Sequence, residues 1–102
     1  MSSIARASQV VSATKSIKQV AVNYQFLSSD YCIVATSSGI TITLPDPTTI
    51  AGYEFVIKSR ATLAISVSPF AGELIDGDAG SFTLYLDESI NIITDGTDWY
   101  II

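Results

Sequence analysis

GITITLPDPTTIAGYEFVIK, residues 39 to 58, decides the fold. Ile40, Ile42 and Leu44 alternate with Thr41 and Thr43, the period-2 pattern of a strand with one buried face, and both residue types suit a pleated surface. Pro45-Asp46-Pro47 removes two backbone donors and fixes two φ angles, so no ladder continues through it. The connection is expected to travel outward until Gly52 lets it turn back. A second strand then starts at Tyr53. Tyr53, Phe55 and Ile57 share one face, while Glu54, Val56 and Lys58 share another that is only partly wet.

The same pattern extends outward in both directions. On the N-terminal side, Val20, Val22, Tyr24 and Phe26 share one face of a predicted strand, Ser28-Ser29-Asp30 turns it, and Tyr31 to Ala35 is an apolar run with both faces covered. On the C-terminal side, Leu63, Ile65 and Val67 alternate with Ala64, Ser66 and Ser68 until Pro69 stops the strand. Residues 72 to 80 form an acidic, glycine-rich excursion whose Leu74 and Ile75 are expected to dip back into the core. Phe82, Leu84 and Leu86 mark the next strand, and Ile90 and Ile92 the one after it, with Ile93 opposite. Asp95-Gly96 is a strong turn dipeptide before a last strand, Trp99 to Ile102.

These segments give about eight or nine short strands at spacings of roughly 8 to 12 residues. The class is therefore all-β: an antiparallel β-sandwich or a β-prism-like domain over residues 20 to 102, with parallel βαβ folds excluded. Residues 1 to 19 are small, polar and β-branched, with no Gly or Pro. Ile4, Val11 and Lys18 fall seven apart, as do Val10 and Ile17, but Lys18 breaks this heptad trace and Leu is missing from it. An extended arm, ordered only against a neighbour, fits better.

Composition narrows the function. The chain has 102 residues, 48% hydrophobic and only 15% charged, where about 25% charged is typical. So few charges cover a monomer's surface poorly and favour an oligomer. Arg6, Lys15 and Lys18 give the first 20 residues a charge of +3, and Lys58 and Arg60 against all ten acids leave the rest at −8. An acidic body repels nucleic acid and anionic membrane. No apolar run approaches the ~20 residues that span a bilayer, and the N-terminus lacks the apolar region of a secretory signal.

Catalytic chemistry finds little to work with. The chain contains no His, which removes imidazole bases, Ser-His-Asp triads and His-bearing zinc sites. Cys32 stands alone between Tyr31 and Ile33, reading as a small buried hydrophobe with no base nearby in sequence. The carboxylates lie at turns, with no setting that marks an acid/base pair. Asp76-Gly77-Asp78, preceded by Glu73, could offer oxygen ligands to a hard cation, but it departs from the EF-hand loop and reads equally as a tight turn whose carboxylates bond the backbone. Exposed Tyr or Trp beside Asp could also stack on a sugar, although Trp99 sits where a core residue belongs. No catalytic, metal or cofactor-binding residue is assigned.

Four fragments stand in order along the chain: Leu44-Pro45, Val56-Ile57-Lys58, Ile75-Asp76-Gly77, and Asp95-Gly96-Thr97-Asp98-Trp99-Tyr100. This order, over residues 24 to 102, resembles a small β domain of tailed-bacteriophage tail fibres and related virion appendages. The resemblance implies a homotrimeric, non-enzymatic virion protein with no catalytic motif. Because the sequence starts at its own Met1, a free-standing capsid decoration protein is expected, with a tail fibre or tail-tip component that binds a host receptor or carbohydrate as the alternative. Its partners would be two further copies and a major capsid or tail protein. Arg6, Lys15 and Lys18 are the expected virion-docking residues of the arm, and Trp99, Tyr100, Ile101 and Ile102, apolar on both faces of their strand, the expected trimer interface.

Overall fold

In a computed structural model that describes residues 15 to 102, the chain forms nine strands, one short 3₁₀ helix and no α-helix among the described residues. Strands β1 (Ile17–Val20), β3 (Cys32–Ala35), β5 (Glu54–Ser59), β8 (Ser89–Thr94) and β9 (Trp99–Ile101) form one sheet in the order β1-β3-β5-β8-β9. Strands β2 (Tyr24–Gln25), β4 (Thr41–Thr43), β6 (Ile65–Ser68) and β7 (Phe82–Leu84) form the other, in the order β2-β4-β6-β7. The all-β, two-layer architecture is the one the period-2 pattern implies.

The pairing within it is mixed rather than uniformly antiparallel. From β1 to β6 each strand lies in the sheet opposite the one before, so the chain coils around the core and stacks parallel strands: β1 on β3 on β5, and β2 on β4 on β6. Parallel neighbours need a crossover, and here the opposite sheet's strand supplies it in place of a helix. Antiparallel pairing enters only afterwards, where β7 pairs β6, β8 pairs β5 and β9 pairs β8. A period-2 pattern serves either direction equally well, so sequence alone cannot separate the two.

Both inner faces supply the core. Ile33, Phe55, Ile57, Ile92 and Trp99 from the first sheet meet Ile42, Ile65, Val67 and Leu84 from the second. Phe55 sits at the centre, its ring 4.6 Å from that of Phe26 and 5.8 Å from that of Trp99. Two buried hydroxyls are bonded: Thr94 donates to the Asp98 carbonyl at 2.7 Å, and Ser59 accepts from the Ala61 amide at 3.3 Å.

Several local expectations change. The pattern from Val20 to Phe26 predicts one strand; the chain bends at Ala21-Val22, leaving Val22 exposed and sending Phe26 into the core from the second sheet. The Pro45-Asp46-Pro47 connection folds over the end of the core instead of travelling outward. Pro45, Pro47 and Ile50 are buried, and the Asp46 carboxylate caps the 3₁₀ helix Pro47–Thr49 by accepting from the Thr48 amide at 3.0 Å. The excursion at 72 to 80 sends Ile75 into the core while Leu74 stays half-buried. Leu74 to Asp76 also lie along the outer edge of β9: the Trp99 amide donates to the Leu74 carbonyl at 2.8 Å and the Asp76 amide to the Trp99 carbonyl at 2.9 Å. An edge strand that would otherwise invite pairing is thereby covered.

Candidate functional site

Basic residues, an acidic loop, a thiol and an apolar chain end are the sequence's functional candidates, and the fold separates them. Lys15 and Lys18 do not project on an arm. Ser16 receives the Cys32 amide on its carbonyl at 3.1 Å and the Tyr31 amide on its hydroxyl at 3.0 Å, so the chain is already bound to β3 before β1 starts. Residues 17 to 19, drawn into the arm from sequence, are strand β1. Lys15 lies over the Tyr31 ring, 4.4 Å from its centroid. Lys18 links the edge strands β1 and β2 of the two sheets, donating to the Tyr24 hydroxyl at 3.0 Å, which in turn donates to Asp30 at 2.6 Å. The bond to Tyr24 holds the Lys18 ammonium above its ordinary pKa of 10.5. Arg6 lies outside the described residues.

The acidic loop borders a half-open cleft of about 230 Å³ between the β7 and β9 edges, lined by Ile75, Asp76, Asp78, Ser81, Phe82 and Ile101 among others. Both carboxylates are engaged by backbone. Asp76 Oδ1 accepts from the Ile101 amide at 3.1 Å, and Asp78 Oδ1 accepts from the Gly80 amide at 2.8 Å. The turn reading of Asp76-Gly77-Asp78 therefore accounts for its side chains. Glu73 does not line this cleft.

In β9 the alternation read from sequence holds, with different consequences for each residue. Trp99 is fully buried, and its indole Nε1 finds no hydrogen-bond partner among the described residues. It belongs to the core, so an interface role for it is withdrawn. Ile101 is half-buried and packs against the same core. Only Tyr100 and Ile102 face outward, 41% and 67% exposed. The Tyr100 hydroxyl donates to Asp95 Oδ2 at 3.1 Å, which raises its pKa above 10.0.

Register then brings together residues that sequence leaves scattered. Ile17 on β1, Cys32 on β3, Val56 on β5 and Asn91 on β8 stand side by side across the first sheet, all on its outer face. Ile102 extends the row, its amide donating to the Asn91 carbonyl at 2.8 Å. Ile93 and Tyr100 lie beside Glu54 in the row to one side, and Val34 lies beside Lys58 in the row to the other. Cys32 is half-buried here, and that burial raises its thiol pKa. No protein-family model matches the chain, and no similar curated protein or solved structure is found.

The outer face of the second sheet differs. Its rows are Gln25, Thr43 and Ser68, and Thr41, Ser66 and Thr83, with no apolar side chain among them. The individual strands β3, β5 and β9 each showed a partly apolar second face in sequence. What sequence reasoning missed is that these faces fall on one surface.

Proposed function

We propose that this chain is a structural protein of a bacteriophage virion: a non-enzymatic homotrimer that decorates the capsid surface and is docked by the segment N-terminal to β1. The observation that carries the oligomer is the outer face of the five-stranded sheet, where Ile17 and Ile102 are 71% and 67% exposed at the two ends of a row that is apolar but for Asn91. Exposed apolar side chains gathered on one sheet face are a mark of an interaction surface. The virion assignment leans on the ordered fragments Leu44-Pro45, Ile75-Asp76-Gly77 and Asp95 to Tyr100 and on the basic N-terminal charge. With Lys15 and Lys18 held against Tyr31 and Tyr24, Arg6 is the docking cation left to test.

Purified phage particles from the source strain, analysed by quantitative mass spectrometry, should contain the chain in a copy number divisible by three. The Arg6→Glu variant should fold and oligomerise like the parent and be depleted from particles. Particles without the chain would overturn the assignment. A second reading, a tail component that binds host carbohydrate, is favoured by one feature, the cleft that sets Phe82 beside Asp76, Asp78 and Ser81. A glycan array hit abolished by Phe82→Ala would move the protein to that class.

A further inference from the structure

We infer that the outer face of the five-stranded sheet is the surface on which a second copy of this chain docks. This rests on the oligomer reading above and narrows it to one face. The first reason is chemical. The central row, Ile17, Cys32, Val56, Asn91 and Ile102, is apolar but for Asn91 and open to solvent at both ends, whereas the matching rows of the other sheet hold only hydroxyl and amide side chains. Strand formation requires neither composition, so the apolar one calls for a partner.

The second reason is electrostatic and decides who that partner is. With a net charge of −5, two copies repel each other through most of their surfaces. The outer face of the first sheet is an exception: among its strand residues it holds one acid, Glu54, and one base, Lys58, and is neutral overall. Both stand on β5 on opposite sides of the apolar row. Glu54 accepts from the Asn91 amide group at 3.0 Å, and Lys58 donates to the Asp87 carbonyl at 2.8 Å, so each charge is held at its own end of the face.

An order of acid, apolar row and base is its own complement. About a three-fold axis parallel to the row, the three rows converge and the Glu54 side of each copy's face meets the Lys58 side of the next. An anionic lipid surface would want several cations where this face has one. An unrelated protein would have to reproduce an order that a further copy of the chain already carries.

The experiment combines charge reversal with a thiol probe that already sits in the row. Full-length protein is examined by native mass spectrometry and sedimentation at micromolar concentration. Glu54→Lys and Lys58→Glu should each weaken self-association by about 10-fold or more, and the double variant should restore it to near the parent. Cys32 should react slowly with a maleimide in the assembled parent and roughly 10-fold faster in either single variant. Thermal unfolding confirms that each variant folds, and the rescue in the double variant separates lost pairing from misfolding. An oligomer that ignores both reversals, or whose Cys32 labels as fast as in the dissociated chain, overturns the docking face and leaves the oligomer standing. A parent that stays monomeric overturns both. Presence in virions is read by a separate measurement and can fail independently.

Discussion

The two outer faces of this sandwich carry different instructions on the same scaffold. Inside, both sheets present the same kind of residue: Ile33, Ile57 and Ile92 from one, Ile42, Ile65 and Leu84 from the other. Outside, the first sheet shows Ile17, Val56, Ile93 and Ile102, while the second shows Thr41, Thr43, Ser66 and Thr83. Thr keeps the β-branched shape a strand favours and ends in a hydroxyl that water satisfies. The second sheet thus shows that a solvated outer face is available to this chain at no cost in strand formation. The apolar residues on the first sheet's outer face, set among Gln19, Glu54, Lys58, Ser89 and Asn91, are not required for strand formation.

The comparison breaks most severely at the layer the two sheets share. Phe55→Ala removes the ring that meets both Phe26 and Trp99, and should destabilise the fold by about 3–5 kcal/mol in denaturant unfolding. A loss below about 1 kcal/mol would mean the core does not converge on this ring. The next effect separates the faces. Ile102→Asp on the first sheet should weaken self-association by ~100-fold, since moving a large apolar side chain out of water contributes about 1.5 to 3 kcal/mol and a charge in its place opposes it. The counterpart Thr83→Asp on the second sheet should leave both oligomeric state and stability within about 0.5 kcal/mol of the parent. Equal responses would erase the distinction between the faces.

A smaller effect sits at the turn that delivers β9 to the first sheet. Gly96 has φ +98°, and a Cβ there would lie 3.2 Å from the Ala51 Cβ. Gly96→Ala should therefore cost about 1–3 kcal/mol in thermal unfolding, and a neutral result would show that the turn can relax. The smallest is a pH effect in the same turn. Asp95 Oδ1 accepts from the Asp98 and Thr97 amides, and these bonds, that to Asp98 foremost, hold its carboxyl below its ordinary value of 3.8. A depressed carboxyl stabilises the folded state fully above that value, and the contribution fades as pH falls through the lower, folded value. Asp95→Asn should flatten this part of the acid limb, and a limb left unchanged below the ordinary carboxylate value would rule the carboxylate out as its source.

Much of this was legible because it is local. Strand class, the inward Phe55, Ile57, Ile65 and Val67, the stop at Pro45 and the Asp95-Gly96 turn follow from period-2 alternation and from the backbone limits of Pro and Gly. Local patterns misled where two segments competed for the same residues. The run from Val20 to Phe26 alternates as one strand, yet the opposite sheet needs Phe26 in the core, and the chain bends to provide it. The lysines read as an arm's charges because sequence cannot show that Tyr24 and Tyr31 stand beside them.

The sequence by itself determined that this chain is β throughout, which face of nearly every strand points inward, and where the strands stop, because those properties depend on residues a few positions apart. Tertiary structure alone decided that β1 to β6 coil with parallel neighbours, that Leu74 to Asp76 cover the edge of β9, and that Ile17, Cys32, Val56 and Ile102 share one row. Those outcomes are set by register between segments distant in the chain. A side chain's alternation fixes its face, and only the neighbouring strand fixes what stands beside it.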